Sequence, residues 1–215
     1  MFDLGRLVAM NRIEADLIER AGDADVAHAR NAVLHAFRVH PSRPQRLLLL
    51  DADVGVPPAA FAALLTCSED FVVANYPWRD GSDRTACTAK SDRPMNGPLA
   101  AAKNAGLGCA LLTRDCVNRM AAAAEMYRPY GMPYGEEPAR AICVPGVRNG
   151  VWEAEDQSLV RAWERAGGTV WIHTGARGLT HTGPREHRMA DRAVASIDGP
   201  SGGPAWLNAV AEGRP

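Results

Sequence analysis

Two aspartates separated by one residue, Asp51 and Asp53, follow directly on Leu47-Leu48-Leu49-Leu50. A short continuous apolar run of that kind suits a central strand covered on both faces. The carboxylates then leave a sheet at its carboxyl edge, where two of them converge on one hard cation that prefers oxygen ligands. A cation held there suits a substrate carrying a diphosphate, because it neutralises the charge that grows on the leaving group as the bond to it breaks. D-x-D by itself also occurs in solvated turns. Here the leucines before it and Val54-Gly55-Val56-Pro57-Pro58 after it supply a structural setting.

A second acidic pair, Glu155-Asp156, opens a helical stretch, with Trp152 just before it. Acids in a first helical turn complement the helix dipole, which is their ordinary reading. A carboxylate there is also placed to take the proton of an attacking hydroxyl, which is a poor nucleophile until a base within hydrogen-bond reach does so. Trp152 and Tyr76 are the aromatic residues placed to stack on a sugar or base, whereas Trp163 and Trp171 fall at core spacing. Gly106 and Gly108 would let backbone approach a ligand closely, and a β-bulge accounts for them equally. His28, His35, His40 and His187 have no partner spacing and are expected at the surface.

These groups need a scaffold, and the pattern of elements describes one. Residues 1 to 11 read as a helix and 13 to 18 as a strand. Residues 24 to 38 read as a helix capped by Asp23 or Asp25 and stopped at His40-Pro41-Ser42-Arg43-Pro44. Strand 47 to 50, helix 59 to 65 and strand 71 to 74 follow, then a polar loop over 79 to 98. A strand over 106 to 112, a helix over 114 to 127, an irregular stretch over 128 to 150, a helix from 155 to 166 and a strand over 169 to 173 complete the order, before Leu179-Thr180-His181-Thr182-Gly183. Strands alternating with helices predict a mostly parallel α/β sheet.

The chain of 215 residues is long enough for one domain with a real core, and 47% hydrophobic with 23% charged residues excludes a disordered or collagen-like chain. Lys and Arg number 24 against 25 Asp and Glu, so a net charge of −1 gives no general attraction to nucleic acid or an anionic membrane. The five cysteines contain no C-x-x-C pair and read as reduced, which points to the cytoplasm. No stretch approaches the roughly 18 to 20 apolar residues of a membrane span, and Met1 to Met10 lacks the basic region and cleavage site of a secretory signal.

Taken in order, Ala29-Arg30-Asn31, Leu47 to Gly55 (LLLLDADVG), Tyr76-Pro77, Gly106 to Asp115 (GLGCALLTRD), Ala154-Glu155-Asp156 and Leu179 to Gly183 (LTHTG) resemble family 2-like glycosyltransferases of the GT-A fold. The resemblance covers about residues 1 to 185. It implies a single Rossmann-like GT-A domain over 1–190, with 191–215 as a C-terminal tail. Its implied donor is a nucleotide-diphosphate sugar, its cofactor Mn²⁺ or Mg²⁺, and its acceptor a hydroxyl on a glycan, a protein or another molecule. Asp53 then contacts the metal, and Asp51 the ribose or a metal-bound water. Arg30 and Asn31 lie near the nucleotide, and Gly106 and Gly108 near the donor. Tyr76 and Trp152 line the acceptor side. Asp156, with Glu155 beside it, is the base of an inverting displacement. His181 completes the metal site, with His173, eight residues earlier, as the alternative.

The family normally begins with a strand whose following loop holds the nucleotide base, whereas Met1 to Met10 aligns with its first helix. That first strand is therefore expected to be missing, and an unpaired sheet edge there favours a homodimer. A sugar-nucleotide or carbohydrate-binding member of the same fold without transfer activity is the alternative function. A phosphatase with a D-x-D nucleophile would need a later lysine, and Lys90 and Lys103 stand in poor contexts. A dinucleotide-binding dehydrogenase would need an early G-x-G-x-x-G, which is absent. The near-neutral charge disfavours DNA as acceptor.

Overall fold

The computed structural model describes residues 14–80, 82, 84–128, 138–182 and the backbone of 186–188. The helix expected over 1 to 11 and the tail 191–215 lie outside these residues. Residues 14 to 20 are irregular rather than the predicted strand. Their alternation of apolar and polar residues finds no neighbouring strand to pair with, and Leu17 stays 74% exposed.

The first described helix, α1 (Val26–Val39), is capped by Asp25, whose carboxylate accepts from the N–H groups of Ala27 and His28 at 2.9 and 3.2 Å. The remaining helices among the described residues are α2 (Pro58–Leu65), α3 (Arg114–Ala122) and α4 (Glu155–Arg165). Helix α3 ends five residues earlier than its apolar pattern predicts. Met126–Tyr127 instead forms a short strand, β7, paired with β8 (Ala139–Arg140).

The six-stranded sheet has the order β1-β6-β3-β11-β5-β4, with β1 at Arg46–Leu50, β3 at Phe71–Val73, β4 at Thr88–Ala89, β5 at Leu99–Asn104, β6 at Cys109–Thr113 and β11 at Trp171–His173. This is a mixed α/β architecture, and it corrects the expectation of a mostly parallel sheet. Only β3 and β11 pair in parallel, while β1 with β6, β6 with β3, β11 with β5 and β5 with β4 are antiparallel. The leucine strand β1 is also not central, since it stands at the edge of the sheet among the described residues. It is nonetheless covered on both faces. Leu47 and Leu49 join the cluster of Leu34, Phe37, Leu112 and Met120, while Leu48 and Leu50 pack against the cluster of Phe61, Leu64 and Leu111. Covering helices, rather than strand neighbours, explain the unbroken apolar run.

Strand β5 was not legible as a strand. Its Leu-Ala-Ala-Ala is buried on both faces and shows neither alternation nor β-branched residues. Among the described residues no helix is long and apolar enough to cross a membrane.

A smaller sheet positions the site. Strand β2 (Val54–Gly55), directly after Asp53, pairs antiparallel with β12 (Thr180–Thr182), which also pairs with β13 (Glu186–Arg188). His181 sits opposite Val54, and the Thr182 N–H donates to the Asp53 carbonyl at 2.7 Å. The close approach depends on Gly55, where a Cβ would lie 2.3 Å from the Thr180 hydroxyl oxygen.

Candidate functional site

Arg30 joins three sequence motifs. It projects from α1, is only 7% exposed, and donates through Nη2 to the Asp51 carboxylate at 3.0 Å while its Nε lies 3.7 Å from Glu155. Burial alone would lower the pKa of the guanidinium, but Asp51 and then Glu155 more than offset this, so it is held above its ordinary value as a firm cation. The Asp51 backbone N–H is fixed by the Gly108 carbonyl at 3.0 Å, which ties the end of β1 to the start of β6. The helix residue, the first D-x-D carboxylate and the acidic pair thus meet at one end of the sheet.

Asp53 faces the other way, toward His181. The His181 Nε2 is 3.7 Å from Asp53 Oδ2, and its Nδ1 lies 2.9 Å from the Pro77 carbonyl. A carbonyl can only accept, so Nδ1 carries the proton. Nε2 faces the Nε–H of Arg79 at 2.7 Å, which can only donate, so Nε2 presents its lone pair. Both contacts fix the same neutral tautomer. Arg79 Nη2 also pairs with Asp53 Oδ2, and the second oxygen of Asp53 is buried without a hydrogen-bond partner. The ring of His181 rests edge-on against Tyr76, with centroids 5.1 Å apart.

His173, the alternative histidine, lies inside β11, 6% exposed, and accepts from the Gly175 N–H at 3.1 Å. Burial pulls its pKa down. Strand pairing therefore selects His181 as the neighbour of Asp53. His35 corrects the expectation of a surface histidine, being 3% exposed on the inner side of α1. His28 meets Asp23 at 2.6 Å and His40 meets Ser42 at 2.9 Å, both partly exposed. The side chain of His187 lies outside the described residues.

Glu155 and Asp156 occupy the first turn of α4, whose preceding Ala154 N–H is capped by the Gln157 side chain at 3.2 Å. Asp156 is half-buried and accepts from the Gln157 N–H at 2.7 Å. Burial raises its pKa, and the charge of Glu155 adds to the rise. A carboxylate made more basic in this way is better matched to accepting a proton. The strand β10 (Val151–Glu153) leads into α4 and pairs with β9 (Gly146–Arg148). Glu153 anchors it through Arg148, at 3.0 Å, and Arg161. Trp152 stands on this hairpin 64% exposed, where its ring faces solvent.

Four of the predicted ligand-contact residues make structural contacts. Asn31 spends its amide on the backbone: Oδ1 accepts from the N–H groups of Ile142 and Cys143 at 2.9 and 2.8 Å, and Nδ2 donates to the Cys143 carbonyl at 2.8 Å. Tyr76 is 7% exposed, and its hydroxyl accepts from the Gly108 N–H at 3.0 Å, so it supports His181 from beneath and has no open face for an acceptor. Gly106 and Gly108 are small because of Tyr76. A Cβ at either would come within 2.6 to 2.8 Å of its hydroxyl oxygen. A cleft of about 540 Å³ between the end of β5 and α4, lined by Lys103, Asn104, Glu153, Gln157 and Arg161 among others, contains none of the predicted site residues.

Among the described residues no three His, Cys, Asp or Glu side chains form a metal-binding group. Asp51 is drawn off by Arg30, which leaves Asp53 and His181 as the pair. These two fit a divalent cation in chemistry, with one buried carboxylate oxygen lacking a partner and one imidazole lone pair already oriented. The remaining ligands would come from a diphosphate and water. Arg79 is the site residue that sequence reasoning missed. It lies in a polar loop, and no local pattern marks a residue whose partners are 26 and 102 positions away.

No family model and no curated protein matches the chain. Nine chains of solved structures do. One is the A197 protein from STIV, with a TM-score of 0.49 and 15% sequence identity over 91% of this chain and 87% of that one.

Proposed function

We propose that this protein is a metal-dependent glycosyltransferase of the GT-A, family 2-like kind, which moves a sugar from a nucleotide-diphosphate sugar to an acceptor hydroxyl with inversion. The observation that carries this reading is the buried Arg30 bridge between Asp51 and Glu155. It gathers the helix, D-x-D and acidic-pair motifs, far apart in sequence, at the carboxyl end of β1. Beside them, the β2–β12 pairing brings His181 to Asp53.

In this reading Asp53 and His181 hold Mn²⁺ or Mg²⁺. Bound there, such an ion offsets the charge that develops on the departing nucleoside diphosphate. Arg30 fixes Asp51 toward the donor and stays charged through its two carboxylate partners. Asp156 takes the proton of the acceptor hydroxyl as that oxygen attacks the anomeric carbon, its basicity raised by burial and by Glu155. Asn31, Tyr76, Gly106 and Gly108 position these groups without touching substrate. Trp152 offers an exposed ring to the acceptor. A homodimer is proposed on the ground that β1 stands at the sheet edge among the described residues.

Calorimetric titration of UDP, GDP and their sugars, first with Mn²⁺ and then with EDTA, tests the reading. Metal-dependent binding of one nucleotide, lost in Asp53→Ala, is the expected result. Nucleotide binding that is indifferent to EDTA and to Asp53→Ala would overturn it. Binding without sugar transfer to any acceptor would favour the non-catalytic alternative.

A further inference from the structure

We infer that Arg79 occupies the cation position of the free protein and must be displaced before a divalent ion is coordinated, so that it sets the metal affinity of the site. The inference rests on the reading of Asp53 and His181 as cation ligands.

The geometry is that of a substitute cation. One guanidinium nitrogen pairs with Asp53 Oδ2, and the Nε–H is directed at the Nε2 lone pair of His181 at 2.7 Å. Nε2 is an atom a metal would take, and Oδ2 belongs to the other ligand, Asp53, whose Oδ1 has no hydrogen-bond partner; Nε2 cannot serve Arg79 and a metal at once, because a lone pair that accepts a hydrogen bond is not available for coordination. His181 Nε2 and Asp53 Oδ2 lie 3.7 Å apart, and Arg79 donates to both. It does so from outside. Its side chain is 55% exposed, whereas that of Arg30 is 8% exposed.

The base of Arg79 is held, while its half-exposed tip opens onto solvent. The Trp78 N–H donates to the Arg84 carbonyl at 3.0 Å, the Trp78 indole N–H donates to the Thr85 carbonyl at 3.0 Å, and Pro77 bridges to Thr85. Asp80, the adjacent carboxylate, is engaged by Arg84 and Ser82 and does not compete for Arg79. Releasing Arg79 therefore requires only side-chain rotation into solvent.

Local charge supplies the driving force for exchange. Asp51, Asp53, Glu155 and Asp156 stand against Arg30 and Arg79, which leaves an excess of negative charge where a diphosphate must enter. A singly charged guanidinium offsets this less well than a divalent ion, and once displaced it remains at the rim, within reach of an incoming anion. The displaced arginine becomes a second donor-side cation.

The experiment is an electron paramagnetic resonance titration of free Mn²⁺ against the full chain, first without nucleotide and then with UDP or GDP against a protein-free reference, for the wild type, Arg79→Ala, Asp53→Ala and the double variant. Arg79→Ala is expected to bind Mn²⁺ on the order of tenfold tighter, the loss of one charge-assisted contact. Asp53→Ala should abolish binding in both backgrounds. Binding in Arg79→Ala with none in the wild type would support the inference further. If the wild type binds and Arg79→Ala binds equally or more weakly, Arg79 is not the occupant, while the metal reading stands. If neither binds at millimolar Mn²⁺ even with UDP or GDP present, the metal reading fails and the inference falls with it.

Discussion

Arg30→Ala removes the one group that holds three motifs together, and its cost follows from the contacts. The side chain is 8% exposed, makes one charge-assisted hydrogen bond to Asp51 at 3.0 Å and one longer ionic contact to Glu155 at 3.7 Å. A hydrogen bond to a charged group contributes about 1.5–3 kcal/mol. Removing one member of a buried pair costs about 3–5 kcal/mol, because the other charge is left uncompensated. Asp51 and Glu155 are 38% and 25% exposed, so water relieves part of that penalty, and about 3 kcal/mol is expected. For a chain of this size that is a fall in Tm of about 6–12 °C, read by thermal unfolding at neutral pH. The double variant Arg30→Ala/Asp51→Asn should recover part of the loss, giving a coupling of at least about 1 kcal/mol in a double-mutant cycle. A Tm within about 1 °C of the parent, or strictly additive effects, would refute the idea that Arg30 is a buried bridge.

Asp156→Asn should raise stability at neutral pH while removing transfer activity. A carboxyl whose folded pKa is raised contributes stability that is fully present below its unfolded value and is lost as pH rises through the folded one. The gain from the amide should therefore shrink as pH is lowered toward the ordinary aspartate range, and urea unfolding across pH reads it. A variant less stable than the parent at pH 7 would contradict the burial of the charge. Asn31→Ala strands the buried N–H groups of Ile142 and Cys143, and a loss of about 2–4 kcal/mol is expected by urea unfolding. An effect below 0.5 kcal/mol would show that the amide is not the clamp. Gly108→Ala would press a Cβ to within 2.8 Å of Tyr76 and of Val54. A loss of about 1–3 kcal/mol is expected, together with weaker metal-dependent nucleotide binding as Tyr76 shifts beneath His181. Unchanged stability and binding would argue against the packing role of that glycine.

Local pattern made much of this protein legible. The apolar stripe of α1 and its Asp25 cap, the leucine strand ending at Asp51, Pro58 at the start of α2 and the acidic pair opening α4 are read within a turn or two of chain, where periodicity and capping chemistry act. Strand pairing is another matter. Antiparallel β1 and β6, the edge position of β1 and the all-small strand β5 depend on partners across the chain, and four leucines look alike whether strands or helices cover them. The same holds within the site. Sequence singled out Asp51, Asp53, Glu155, Asp156, Arg30, Asn31, Tyr76 and the two glycines by type and spacing, but the backbone and ring contacts of Asn31, Tyr76 and the glycines were not legible in it. It also gave no sign of Arg79. Residue types and local elements were set by the sequence alone, because short-range sterics and hydrophobic period act between near neighbours. Which lone pair meets which donor was decided only by tertiary structure, because that choice is made by groups up to 112 positions apart once the core has packed.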